Sequence, residues 1–178
     1  MKWVKKNGLY LPDNSSYAQS VNEFSDGTLN ELYISIGIYI PRIDSTDFYN
    51  WNILGKDTGS RLAYRLNINV TGTNYSGLEN GRRLIADTMA GTYKATTYHP
   101  NGTWMVYEVL HYKDTSTGDF YTAISAHGYY FTPDKDTGSL VDDTGYLYLY
   151  APASGAEIIY THLIIDNKLP DWADISAP

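Results

Sequence analysis

The chain has 178 residues, 43% of them apolar and 19% charged, a composition that folds and a length suited to one domain with a real core. It has no cysteine, which excludes disulfides, thiolate metal sites and cysteine nucleophiles. The formal charge is −7, and basic residues cluster only at Lys2, Lys5, Lys6 and Arg82-Arg83, too little cationic surface for a phosphate backbone, so nucleic-acid binding is not expected.

Residues 1–28 read as an irregular N-terminal arm, with Pro12-Asp13-Asn14-Ser15-Ser16 as a turn cluster and Asp26-Gly27 at its end. Its first eight residues are basic but lack the apolar stretch of a signal peptide, and no window is long enough to span a bilayer, so no membrane contact is expected. The remainder, 29–178, reads as one β-sandwich domain. Leu32, Ile34, Ile36, Ile38 and Ile40 alternate with Tyr33, Ser35, Gly37 and Tyr39, which puts aliphatic side chains on one face of a strand and a polar-aromatic set on the other. Pro41 ends this strand, because proline cannot donate to a ladder.

Trp51–Lys56 is a shorter strand, and Leu62, Leu66, Ile68 and Val70 mark a second clear one, with Arg65 and Asn67 on its polar parity. Asn80-Gly81 and Asn101-Gly102 are hairpin-type dipeptides. Between them lie weaker strands at 84–86 and 91–98, with one helical turn over 82–89 as the alternative for the first. Trp104–Tyr112 is apolar on both parities and reads as a central strand. Phe120–Ala126 and Tyr129–Thr132 follow, then Tyr146–Tyr150, which alternates Tyr and Leu. The last strand, 158–166, is expected to bury Ile159, Leu163 and Ile165 on one parity. Eight to ten short strands with turn signals between them, no long helix and no 20–50-residue repeat describe an all-β, two-sheet antiparallel sandwich.

The order of these pieces resembles the concanavalin A-like jelly rolls, the group that includes laminin-G modules, legume-type lectins and several polysaccharide lyases. The resemblance covers roughly residues 29–167. It rests on the Leu32–Ile40 strand, Trp51-Asn52-Ile53-Leu54-Gly55-Lys56, the Gly102-Thr103-Trp104 step into a central strand, and the closing Ile164-Ile165-Asp166-Asn167. It implies a jelly roll and a choice between a lectin-like module and a polysaccharide-active enzyme. The lyases of that group carry Arg-x-Glu-x-Arg, Gln-x-His and Tyr-x-Lys strands. Here Val106 and Leu110 flank Glu108, no Gln-x-His occurs, and the strand Tyr146–Tyr150 has no lysine. No catalytic residue is therefore assigned.

Other motifs reduce to turn chemistry. Asp-Thr-Gly-Ser occurs at 57–60 and 136–139 and looks like the aspartic protease signature, but lysine precedes both copies where an apolar strand is needed. Asp134 and Asp136 are candidate oxygen ligands for calcium, without the spacing or terminal Glu of an EF-hand loop; no other cofactor is expected. His99, His111, His127 and His162 lack partners at metal-pair spacing. Glu108 cannot share a pocket with Tyr107 or His111 through strand parity alone, since residues an odd number apart face opposite ways.

The aromatic surface is the remaining signal. Tyr39, Arg65, Asn67 and Tyr148 each sit opposite an aliphatic row on their own strand and are the expected ligand-binding residues, tyrosine to stack on a sugar ring and Arg and Asn to bind hydroxyls. They converge only if their strands share a sheet. The expected partners are cell-surface glycan, further copies of the chain, and other subunits of a virion such as a bacteriophage capsid, tail or fibre. That last expectation joins the lack of cysteine and export signal to Tyr/Asn/Thr/Gly-rich strands, and it places the protein on a virion or an extracellular surface.

Overall fold

The structure, a computed structural model, describes residues 2–4, 8–12, 17–22, 27–40, 49–57, 62–71, 81–88, 91–98, 102–126, 129–130, 133–135, 140–142, 145–151 and 157–173, some in backbone alone. Every regular element among them is a strand. In chain order these are β1 (Lys2–Val4), β2 (Gly8–Leu11), β3 (Tyr17–Gln19), β4 (Gly27–Leu29), β5 (Glu31–Ile40), β6 (Tyr49–Asp57), β7 (Leu62–Thr71) and β8 (Gly81–Thr88). There follow β9 (Gly91–Tyr98), β10 (Thr103–Lys113), β11 (Phe120–Ala126), β12 (Tyr129–Tyr130), β13 (Asp134–Lys135), β14 (Leu140–Asp142), β15 (Tyr146–Tyr150) and β16 (Ile158–Asp166).

An eight-stranded sheet runs β1-β2-β16-β5-β10-β11-β12, with β13 also on β11; a six-stranded sheet runs β3-β15-β6-β7-β8-β9; β14 and β4 form a separate pair. All pairings are antiparallel. The two larger sheets pack face to face. Leu32, Ile34, Ile36 and Ile38 of β5 and Met105, Tyr107 and Val109 of β10 meet Ile53, Leu54 and Leu66 of the six-stranded sheet in one core. Each aliphatic buried there contributes about 1.5–3 kcal/mol. The expected parity of β5 and the central place of β10 both hold: β10 lies between β5 and β11.

Three expectations change. Residues 1–28, expected as an irregular arm, contribute strands to the sheets. β2 pairs with β16, and Leu9 and Leu11 are core residues at 4% and 0% exposure. Two apolar side chains two apart, beside an open edge of β16, suffice to add a strand even in a polar segment. The strand expected at 84–86 holds: residues 81–88 form β8, paired on both sides, in place of the alternative helical turn. Gly102 takes φ 66, but β9 and β10 on either side of it belong to different sheets, so the chain turns a corner there and closes no hairpin. Asn80 and Asn101 lie outside the described residues. In β16 the buried residues are Ile158 and Tyr160, while Ile159 is only half-buried, because a bulge between Tyr160 and His162 shifts the phase of the strand.

Candidate functional site on the outer face of the eight-stranded sheet

The alternation that buries the aliphatics of β5 turns Tyr33, Ser35, Gly37 and Tyr39 to the sheet's outer face. On β10 the outward residues are Trp104, Val106, Glu108, Leu110 and Tyr112. Register puts Ser35 opposite Glu108, and Glu108 opposite Ser125 of β11. Glu108 is half-buried and held at both oxygens: the Tyr33 hydroxyl donates to Oε1 at 2.7 Å and Ser125 Oγ donates to Oε2 at 3.0 Å. Ser35 Oγ lies 3.1 Å from His162 Nε2. A polar floor thus crosses β16, β5, β10 and β11.

Burial, and then the hydrogen bond to the Glu108 carboxylate, push the Tyr33 phenol up to about 12, against a smaller opposing effect of its hydrogen bond with Ser35. Tyr33 therefore stays protonated at physiological pH. It acts as a hydrogen-bond donor and has no capacity as a base.

His162 reaches this floor because of the β16 bulge. Ile158 and Tyr160 face the core before it, and Leu163 and Ile165 pack against the core after it. Thr161 and His162 both fall on the outward side. They sit over Gly37, where an added Cβ would lie 2.1 Å from Thr161 Oγ1 and 2.7 Å from His162 Nδ1. Only glycine leaves room for the imidazole to lie across β5 and meet Ser35. On the other side of the bulge, Gly8 takes φ 111, and a Cβ there would lie 1.8 Å from the carbonyl oxygen of Tyr160. Bulges often re-aim a side chain beside a functional site.

Aromatic pairs close the floor at both ends. Tyr39 and Trp104 have ring centroids 4.7 Å apart, and Trp104 is 40% exposed. At the other end Trp172 meets Tyr33 edge-on at 5.8 Å and is 55% exposed. Trp172 belongs to the segment after β16, which folds back over the sheet. Leu169 and Ala173 pack against Tyr33, Leu110, Tyr112 and Ala123, and the Leu169 amide donates to Glu31 Oε2 at 2.9 Å.

The four expected ligand residues do not all come together. Tyr39 is on this face. Tyr148 is on β15 of the six-stranded sheet, where Leu147 and Leu149 pack against the core and Tyr146, Tyr148 and Tyr150 line the opposite outer face. There the Tyr148 ring lies 5.5 Å from that of Tyr150 and 5.9 Å from that of Tyr17. In backbone register Arg65 is opposite Gly55, which is opposite Tyr148, and Asn67 is opposite Asn52. The sandwich's outer faces point apart, so Tyr39 cannot share a ligand with Tyr148. The side chains of Arg65, Asn67 and Asp134, and the whole of Asp136, lie outside the described residues, as do 58–60 and 136–139. Among the described residues no three His, Cys, Asp or Glu side chains are grouped to hold a metal ion, and no helix is long and apolar enough to cross a membrane.

Glu108, Ser125, Ser35 and His162 escaped sequence reasoning as a group, because four strands supply the floor. The available signal was a lone carboxylate in the outward parity of an otherwise apolar strand.

No protein-family model matches the chain, and no curated protein matches its sequence. Solved structures do. A native heptameric SAP-like pentraxin from Limulus polyphemus aligns with TM-score 0.56 at 10% identity, over 94% of this chain and 73% of that one. A polysaccharide lyase of family 18 aligns with TM-score 0.52 at 11% identity, over 92% and 88%. An endo-β-1,4-glucuronan lyase from the fungus Trichoderma reesei aligns with TM-score 0.51 at 10% identity, over 93% of each chain. The fold is a jelly-roll β-sandwich. At these identities the likeness is one of fold, and a jelly roll of this kind is compatible with binding modules and with enzymes.

Proposed function

We propose that this protein is a non-enzymatic, lectin-like glycan-binding module whose site is the outer face of the eight-stranded sheet. The observation that carries the reading is the polar floor of Ser35, Glu108, Ser125 and His162 between two exposed tryptophans, each backed by a tyrosine. Flat rings stack on the apolar faces of sugars, and the half-buried Glu108 carboxylate and His162 imidazole, held from below by the buried Ser125 and Ser35, can bind their hydroxyls. Removing the Trp104 ring, in a half-exposed position, is expected to weaken glycan binding roughly tenfold while the melting temperature stays within a few degrees. A glycan array followed by calorimetry on the wild type and Trp104→Ala tests this. Equal binding by both proteins would move the site elsewhere, to the Tyr148 face with Arg65 and Asn67 as the next place to examine.

The second reading is a polysaccharide-active enzyme. What favours it is that Tyr33, Glu108 and His162 come from three strands to one face, and that two of the structures resembled are polysaccharide lyases. Against it, the Tyr33 proton is already committed to Glu108, and its phenol is too weak an acid to act as a base at neutral pH. Appearance of ultraviolet-absorbing unsaturated ends from a polyuronate, abolished in His162→Ala, would establish that reading.

The finer reading, a decoration or attachment subunit of a virion, has composition as its support. Mass spectrometry of purified particles tests it. Self-association draws support from the heptameric pentraxin of like fold, and light scattering of the purified chain measures it directly.

A further inference from the structure

We propose that this site takes a neutral oligosaccharide long enough to reach from Trp104 to Trp172, and turns away chains bearing uronate, sialate or sulfate. The inference rests on the glycan-binding reading above.

Length follows from the strand. Tyr33 and Tyr39 stand six residues apart on β5, a span of about 20 Å at roughly 3.4 Å per residue. Each has a tryptophan beside it, at 5.8 and 4.7 Å. Ser35 and Gly37, the outward residues of β5 between them, are small and buried beneath His162 and Thr161, so the middle of the face is polar where the ends are aromatic. A single sugar covers one end of such a platform. An extended chain engages both rings and crosses the Glu108–Ser35–His162 row on the way.

Charge follows from what faces outward. The described outward residues of β16, β5, β10 and β11 include the carboxylates Glu31, Glu108 and Asp166, and no lysine or arginine. Lys135, on neighbouring β13, has its ammonium on Asp119 at 2.6 Å. Lys168 lies in the segment that folds back over the far end. Glu108 is the central group of the floor, fixed by Tyr33 and Ser125 in a partly desolvated position. An ionised carboxylate only accepts hydrogen bonds, so it favours ligand hydroxyls, and a second anion beside it in a half-buried site is repelled. The chain's net charge of −7 adds to that repulsion at a distance.

The test uses the full chain on an array of neutral and acidic glycans. Calorimetry and tryptophan fluorescence then follow with two ladders of one to six residues, one of neutral β-linked hexoses and one of oligoglucuronides. The expected result is neutral binding that tightens with length and levels off, with oligoglucuronides at least roughly tenfold weaker in low salt. Trp104→Ala and Trp172→Ala should each weaken the longest neutral ligand and flatten the length dependence. Glu108→Gln should narrow the gap between ladders; the wild-type comparison stands by itself if that variant does not fold. Oligoglucuronides bound as tightly as neutral chains, or affinity independent of length, would overturn the inference and leave glycan binding intact. No binding to any glycan on the array would overturn the glycan-binding reading itself.

Discussion

Tyr160 shows how one side chain ties the two sheets. It is 3% exposed, sits on β16 of the eight-stranded sheet, and points its hydroxyl at two carbonyl oxygens of the six-stranded sheet: Ile53 at 2.7 Å and Tyr150 at 2.6 Å. One proton is shared between two buried acceptors. Tyr160→Phe keeps the ring and removes the donor, so a loss of about 1–3 kcal/mol is expected in chemical denaturation. The phenols also set an alkaline limit. Burial raises Tyr160 well above 10.0, raises Tyr112, and raises Tyr33 to about 12. The charged form of a phenol is the deprotonated one, so the fold favours the neutral form. The stability this contributes is fully present below pH 10 and is lost as pH rises toward 12 and beyond. Phenolate absorbance should therefore show a late group, Tyr33, Tyr112 and Tyr160, ionising with unfolding. A single unperturbed transition would contradict the burial of these rings.

At the scale of elements, the bulge of β16 is the feature that builds the site. Without it His162 would face the core and Leu163 the outer side. Gly37 and Gly8 flank it and differ in what a methyl group would meet. At Gly37 the obstacles are side-chain atoms of Thr161 and His162, which can move. At Gly8 the obstacle is the Tyr160 backbone carbonyl, and the φ of 111 is itself unfavourable to alanine. Gly37→Ala is expected to lower stability by only about 1 kcal/mol while displacing His162 from Ser35, visible as a change in the imidazole nuclear magnetic resonance signals. Gly8→Ala is expected to cost on the order of 3 kcal/mol, through strain and overlap that strand β2 cannot relieve without leaving β16. Equal melting temperatures for the two variants would refute this account of the bulge.

For the molecule as a whole, the N-terminal strand β2 matters to the sandwich. β2 covers the edge of β16 and supplies Leu9 and Leu11, whose burial contributes about 3–6 kcal/mol together. Removing residues 1–12 therefore takes away much of the 5–15 kcal/mol that typically holds such a domain, and uncovers a strand edge that invites aggregation. The truncated chain is expected to be insoluble or to lack a cooperative melt, and a cooperative melt within a few degrees of the full chain would count against this role. Ile36→Asp and Leu66→Asp should do the same, because both sites are essentially without exposure and an unpaired carboxylate there has nothing to solvate it.

Strand identity and core parity were legible in the residues because period-two alternation is local: Leu32 to Ile38 name their own face, and so do Leu147 and Leu149 against the tyrosines around them. The jelly-roll class was legible for the same reason, through the order of those strands. The placing of β2 in a sheet was not, because its two leucines gain their energy from β16, some 150 residues away along the sequence. Nor was the phase of β16, since a bulge is an agreement between two strands about register and leaves no mark in either alone. The site depended on both. Tyr33, Ser35, Glu108, Ser125 and His162 become neighbours only when β16 inserts between β2 and β5 and β10 pairs with β11. Tyr39 and Tyr148, alike in sequence pattern, part company because their strands enter different sheets. Outside β16, local periodicity determined which way each side chain turns, and non-local pairing decided which side chains meet.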